Sequence, residues 1–178
     1  MPRRYGTRVD DVPTPFDQYR ARVLPEWLDF NGHFNAGYYA VAFDLAVYPW
    51  LEFLGLTDEH RERHDATTYG LEAHITYERE LVLDDPIRIT TQLLDHDEKR
   101  VHAIHLMYHA TTGDLVATNE FISMHITRSL RRSSPMAPEL LNRVAAVAAA
   151  HSRLPIPPQV GRVIGLRAGR PDASDQPT

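Results

Sequence analysis

The chain has 178 residues, an apolar fraction of 43% and a net charge of −5 at neutral pH. That length bounds it to one domain with a sizeable core, and charges of both signs are scattered without the basic stripe of a nucleic-acid binder. Cysteine is absent, which excludes disulfides, thiolate catalysis and cysteine metal sites.

Residues 1–16 are polar, carry prolines near their end, and read as a flexible lead-in. Their basic residues precede no apolar run, so no secretory signal is expected, and the expected location is the cytoplasm. The domain proper is expected over residues 17–151. Residues 17–24 alternate, with Tyr19, Ala21 and Val23 against Gln18, Arg20 and Arg22, which predicts a first strand ended by Pro25.

The chain is organised around residues 27–55. Residues 27–35 form a loop dense in chemically capable side chains: Asp29, Asn31, His33 and Asn35. Residues 36–54 are helical in type and carry only two charges, Asp44 and Glu52. A helix apolar on nearly every side predicts burial on every side, and this one is too short and interrupted for a membrane span. Asn35 is the expected N-cap, Gly37 admits close backbone approach, and Pro49 is expected to kink or restart the helix. The free N–H groups at Asn35, Ala36 and Gly37 would place an anion-stabilising pole beside the loop.

Residues 57–65 are densely charged. His60 and His64 have the i, i+4 spacing of a metal pair, but the acids and arginines around them favour a solvated face. Residues 67–83, 87–94, 100–111 and 115–127 read as four further strands. They are separated by Asp84-Asp85-Pro86, the polar stretch DHDEK and Thr112-Gly113-Asp114. Glu72, Glu78 and Glu80 would share a face of the first of these. Residues 136–150 form a second helix with Pro138 in its first turn, and residues 152–178 are a Pro-rich tail expected to be extended or disordered. Strand, helix and a four-strand antiparallel meander make an α+β domain whose sheet wraps the central helix. Its open edge calls for a second subunit, giving a homodimer or a dimer of dimers.

Residues 29–35, D-F-N-G-H-F-N, followed by an apolar helix, resemble the active-site segment of hotdog-fold thioesterases. Asp29, Asn31 and His33 match the D-x-N-x-H pattern of the acyl-carrier-protein thioesterases. The longer run PEWLDFNGHFNAGYY is similar to small acyl-CoA thioesterases, including betainyl-CoA thioesterases and the thioesterase part of carnitine dehydrogenase fusions. The likeness covers residues 17–151. It implies a hotdog fold and hydrolysis of a small acyl-CoA, with coenzyme A arriving as part of the substrate and no metal or redox cofactor. It also implies a supporting glutamate near the second strand, without choosing among Glu72, Glu78 and Glu80.

Thioester hydrolysis needs an activated water or a carboxylate nucleophile, and donors where negative charge develops. Asp29 can be base or nucleophile, Asn31 can orient water or carbonyl, and His33 can share the proton work. The alternative is that Asp29 and Asn31 only build an Asx turn before the helix. Asp44 would be a buried carboxylate on the helix, in a substrate role or bonded to a loop backbone. Trp27, Phe34 and Tyr38, with Tyr39, Tyr48 and Trp50, crowd the loop and helix. Aromatic faces can hold a quaternary ammonium at about 0.5–2 kcal/mol per ring, and Asp44 or Glu72 would add attraction. Simple core packing is the alternative for these rings.

Lys99, Arg100, Arg128 and Arg131, with Arg132, are candidates for the coenzyme A phosphates, against ordinary surface charge. His102 and His105 point to opposite faces of one strand, so with His109 they cannot converge on a metal. A hydratase or dehydratase, and a non-catalytic acyl-CoA-binding module, are the competing functions. The D-x-N-x-H order ahead of the helix favours the thioesterase. A binding module would not need Asp29, Asn31 and His33 together.

Overall fold

The computed structural model describes residues 12–165. In chain order these form β1 (Phe16–Arg22), a 3-10 turn at Pro25–Trp27, α1 (Ala36–Leu54), α2 (Asp58–His64), β2 (Ala66–Tyr77) and β3 (Pro86–His96). β4 (Arg100–His109), β5 (Leu115–Thr127), the short β6 (Arg132–Ser133) and α3 (Pro138–His151) follow. The antiparallel sheet runs β1-β3-β4-β5-β2, with β6 on the end of β5. It curls around one side of α1, the hotdog arrangement.

Only β3, β4 and β5 form a meander. The four-strand meander expected from the sequence is corrected at β2, which pairs with β5 and not with β3. The strand also ends at Tyr77 instead of reaching residue 83. Beyond it the N–H groups of Glu78 and Arg79 both turn to the Val116 carbonyl, at 2.8 and 3.0 Å. Residues 78–85 then cross the end of the sheet as a strap. They reach β1, where Asp84 N–H donates to Val23 and Val23 N–H to Asp85. Glu78 and Glu80 therefore leave the strand that carries Glu72.

Asn35 caps α1 through a 2.8 Å bond from the Gly37 N–H, and Gly55 closes it at φ +106°, a conformation that favours glycine. Contrary to expectation, the helix runs unbroken through Pro49. The carbonyl that Pro49 cannot serve belongs to Leu45, an exposed residue, so water can satisfy it. At its N-terminal half α1 buries Tyr39 and Phe43 against Ile87, Met107 and Ala117. At its C-terminal half it buries Trp50, Leu51 and Leu54 against Val101, Ala103 and Leu140.

Burial of α1 on every side is not what one chain provides. Val41, Asp44, Leu45, Tyr48 and Glu52 are exposed. Their spacing places them on a single stripe, the side the sheet does not reach. No single helix among the described residues is long and apolar enough to cross a membrane.

Two further segments are held in place. Val12 is buried, and the Pro13 carbonyl accepts the His151 Nε2–H at 2.9 Å. Gly161 N–H donates to Glu120 at 2.7 Å, which ties part of the Pro-rich tail across the sheet. The remainder of the expected lead-in, residues 1–11, and of the tail, residues 166–178, lie outside the described residues. α2 is not wholly a solvated face, because His60 is only 8% exposed.

Candidate active site

The loop entering α1 is fixed by its own backbone. Leu28 and Phe34 form an antiparallel bridge, and the Asn35 N–H donates to Trp27 at 2.9 Å. Between them the chain reverses tightly. Asp29 N–H donates to the His33 carbonyl at 2.8 Å, and Gly32 N–H to the Asp29 carbonyl at 3.1 Å. Gly32 sits at φ +81°, where a side chain would be strained.

Asp29 Oδ1 accepts two N–H bonds, from Asn31 at 2.8 Å and from His33 at 3.1 Å. The Asx turn is therefore real. It engages only Oδ1, and Oδ2 takes no part in these two bonds. The His33 N–H foremost, and Asn31 after it, hold the carboxyl below the usual aspartate range. A carboxylate bonded in this way is ionised throughout the neutral range. Both turn bonds thus fall on a single oxygen of the side chain.

The strap completes the arrangement. His33 bridges Val82, and Phe34 N–H donates to Leu81 at 2.8 Å. That brings Glu80 Oε2 to 3.6 Å from His33 Nδ1, both groups open to solvent. Of the three glutamates left open by the sequence, Glu80 is the one beside the motif. Nothing in the sequence chose it over Glu72 and Glu78, because it reads as a continuation of the same strand.

Two bonds organise the start of α1: Gly37 N–H to the Asn35 side chain, and Tyr38 N–H to the Asn35 carbonyl at 2.9 Å. They leave the Ala36 N–H as the donor they do not engage. Gly37 is not a point of close approach; an added Cβ would meet only Asn35 Oδ1, at 3.4 Å. Tyr77 Oη donates to the Ala36 carbonyl at 3.3 Å, so the end of β2 also touches the helix entry.

The aromatic candidates divide. Trp27 and Phe34 are buried and stacked at 5.6 Å, and Tyr38 lies against Trp27 at 6.1 Å. Trp27 and Phe34 therefore pack the core and present no open face to a substrate. Trp50 is likewise buried. Tyr48, Tyr69 and Tyr77 are about half exposed.

Asp44 is not the buried carboxylate expected; it lies on the exposed stripe of α1. It and Glu72 line one cleft of about 410 Å³ between α1 and β2, with Ala40, Val47, Asn119 and Phe121. Asp29 does not line this cleft within one chain.

The coenzyme A phosphate candidates are not gathered at the loop. Lys99 pairs with Glu98 and Arg100 with Asp97 at the far end of β4, and Arg128 pairs with Glu62 and Asp65 beside α2. Arg131 lies in the turn after β5 at φ +50°. All four sit toward the C-terminal end of α1, whose 19 residues span about 28 Å from the Asp29 loop.

His102 and His105 face opposite ways, as their spacing predicts. His102 bonds Glu120 at 2.8 Å on the outer face. His105 is fully buried between Phe43 and Phe121, bonded to Thr91 Oγ1 at 2.9 Å.

Comparison with known proteins agrees with this geometry. Residues 23–144 match the thioesterase-like superfamily. A betainyl-CoA thioesterase of Pseudomonas aeruginosa is 38% identical over 148 residues, 83% of this chain and 93% of that protein. An L-carnitine dehydrogenase/betainyl-CoA thioesterase of Rhizobium meliloti is 29% identical; the match takes in 88% of this chain but 32% of the longer protein. Among solved structures, a Staphylococcus aureus protein in complex with CoA superposes with a TM-score of 0.79 at 29% identity, covering 85% of this chain and 95% of that one. With the D-x-N-x-H turn at the head of a helix cradled by a curled antiparallel sheet, this chain belongs to the thioesterase-like superfamily and is a thioester hydrolase.

Proposed function

We propose that the protein hydrolyses a small acyl-CoA to the free acid and coenzyme A, with a short cationic acyl group of the betainyl type as substrate. The observation that carries the catalytic part is the Asp29 turn: one carboxylate oxygen is anchored by two N–H groups and the other is left for chemistry, at the start of α1. Asp29 Oδ2 attacks the thioester carbonyl or takes a proton from the water that does so. The Ala36 N–H and the positive end of α1 stabilise the developing oxyanion. His33, with Glu80 beside it, delivers a proton to the leaving thiolate.

The cationic preference rests on the cleft between α1 and β2, where Asp44 on the helix and Glu72 on the strand put one carboxylate on each wall. The exposed rings of Tyr48 on α1 and Tyr77 at the end of β2 supply faces for a quaternary ammonium. The names of the Pseudomonas and Rhizobium relatives point the same way.

The working unit we propose is a homodimer, or a dimer of such dimers. β2 ends the sheet and is 12 residues long, with Tyr69 and Leu71 exposed, and the uncovered stripe of α1 carries Val41, Leu45 and Tyr48 beside the acids Asp44 and Glu52. A second copy laid along that edge would cover both surfaces. It would also close the cleft from its open side, setting the active site at the subunit boundary. Thiol release from a panel of acyl-CoAs tests the reading, with betainyl-CoA set against isovaleryl-CoA as its neutral counterpart. Betainyl-CoA should show the higher kcat/KM. Equal or faster turnover of isovaleryl-CoA would end the cationic assignment, and silence across the panel would end the acyl-CoA assignment.

A further inference from the structure

At the opposite end of the molecule from Asp29, three side chains from two helices meet. His60 and His64 lie one turn apart on α2, their rings 4.4 Å apart. Glu139, in the first turn of α3, reaches both: Oε1 is 2.8 Å from His64 Nε2 and 4.0 Å from His60 Nδ1. One ligand atom from each residue lies within 4.8 Å of the other two. We propose that His60, His64 and Glu139 bind a divalent transition metal, zinc or cobalt by class, which clips α2 to α3.

Hydrogen bonding alone does not account for the group. His60 is 8% exposed, and its Nε2 is buried without a hydrogen-bond partner among the described residues. Leaving a buried ring nitrogen unpaired is costly, and native structures rarely do so without a reason. A neighbouring imidazole, His125, bonds through Nδ1 to the Ser134 carbonyl at 3.0 Å, while its Nε2 is also buried and unpaired among the described residues.

The donor set chooses the metal class. Two imidazoles and one carboxylate suit zinc and its neighbours and are a poor match for calcium or magnesium, which take oxygen ligands. Ligand atoms around tetrahedral zinc stand about 3.4 Å apart, from bonds of roughly 2.0–2.1 Å. Glu139 is exposed and free to swing by that much. A fourth position remains for water or for His125. The charge density of residues 57–65, read from sequence as a solvated face, conceals this pair because Glu139, which reaches both rings, comes from α3, some 80 residues further on.

The test uses the tag-free full-length chain, stripped with chelator and titrated with Co²⁺. Expected are one equivalent bound, visible absorption of the strength of a tetrahedral site, and a rise in Tm that Zn²⁺ reproduces. Glu139→Gln, at an exposed side chain, should keep the circular dichroism spectrum and weaken binding by at least about tenfold, and His64→Ala should abolish the absorption band. No band in the wild type, or an unchanged band in both variants, would overturn the proposal.

Discussion

His105 makes the stability of the domain depend on pH in a way that can be calculated. It is fully buried, ring-stacked between Phe43 and Phe121, and its nearest polar contact is the Thr91 hydroxyl. Desolvation alone pushes its pKa from the ordinary 6.5 to about 3. In the unfolded chain the ring takes up a proton as pH falls through about 6.5, whereas in the folded chain it stays neutral until about pH 3. Its contribution to stability is therefore complete above pH 6.5 and declines as the solution is acidified through that window. The slope for one group is about 1.4 kcal/mol per pH unit, so at pH 5 the loss is about 2 kcal/mol. His151, His60 and His125 have pKa values displaced the same way and add to the trend. The ionised carboxylates Asp29, Asp65 and Asp97 have lowered values and lose their contribution only below pH 4. Between pH 5 and 6.5 the histidines therefore dominate. Urea unfolding at half-unit steps measures the slope, and His105→Leu should flatten it by about one proton equivalent, whatever the variant's absolute stability. An unchanged slope would show that His105 is protonated in the folded state at no cost, and the desolvation argument would fail.

Asp29→Asn should retain the turn, since the amide oxygen can accept the same two N–H bonds. It should still lower turnover by at least about a hundredfold, the scale for losing a base or nucleophile. Near wild-type turnover in a folded variant would reduce Asp29 to a turn residue. Light scattering at working concentration should report a dimer or tetramer, and Leu45→Lys on the exposed stripe of α1 should shift it toward monomer with loss of activity; a fully active wild-type monomer would contradict the proposed assembly.

Much of the domain is legible in the sequence because local signals and tertiary structure agree. β1, β5, α3 and the Asn35 cap follow from alternation, helical residue type and a capping side chain. What the sequence conceals is decided between distant segments. Nothing local shows that β2 departs from the ladder at Tyr77, because residues 78–83 contain no glycine or proline to break the strand before Asp84-Asp85-Pro86. The Val116 carbonyl takes the Glu78 and Arg79 N–H groups and redirects the chain. The same crossing puts Glu80 beside His33, so the partner of the motif histidine comes from a connection, not from an element. Trp27 and Phe34 were candidates for substrate contact because they flank the motif, yet flanking a loop anchored on the sheet is what buries them.

The apolar character of α1 is better understood against the proposed dimer than against the single chain. Eight of its residues are buried by the sheet and α3, which needs only one face. Selection for one buried face would leave the opposite stripe polar. Instead that stripe holds Val41, Leu45 and Tyr48 with only Asp44 and Glu52 as acids, beside a sheet edge carrying Tyr69 and Leu71. Two adjoining apolar surfaces with one acid on each side, Asp44 and Glu72, make sense together if a second subunit covers the apolar groups and the acids remain at the mouth of the cleft. In the proposed dimer, then, one partner surface would bury the helix and shape the acyl pocket. Neutralising the pair by Asp44→Asn with Glu72→Gln should erase discrimination between betainyl-CoA and isovaleryl-CoA while leaving the oligomer intact. If discrimination persisted in the double variant, the charge of the acyl group would be read elsewhere than in this cleft.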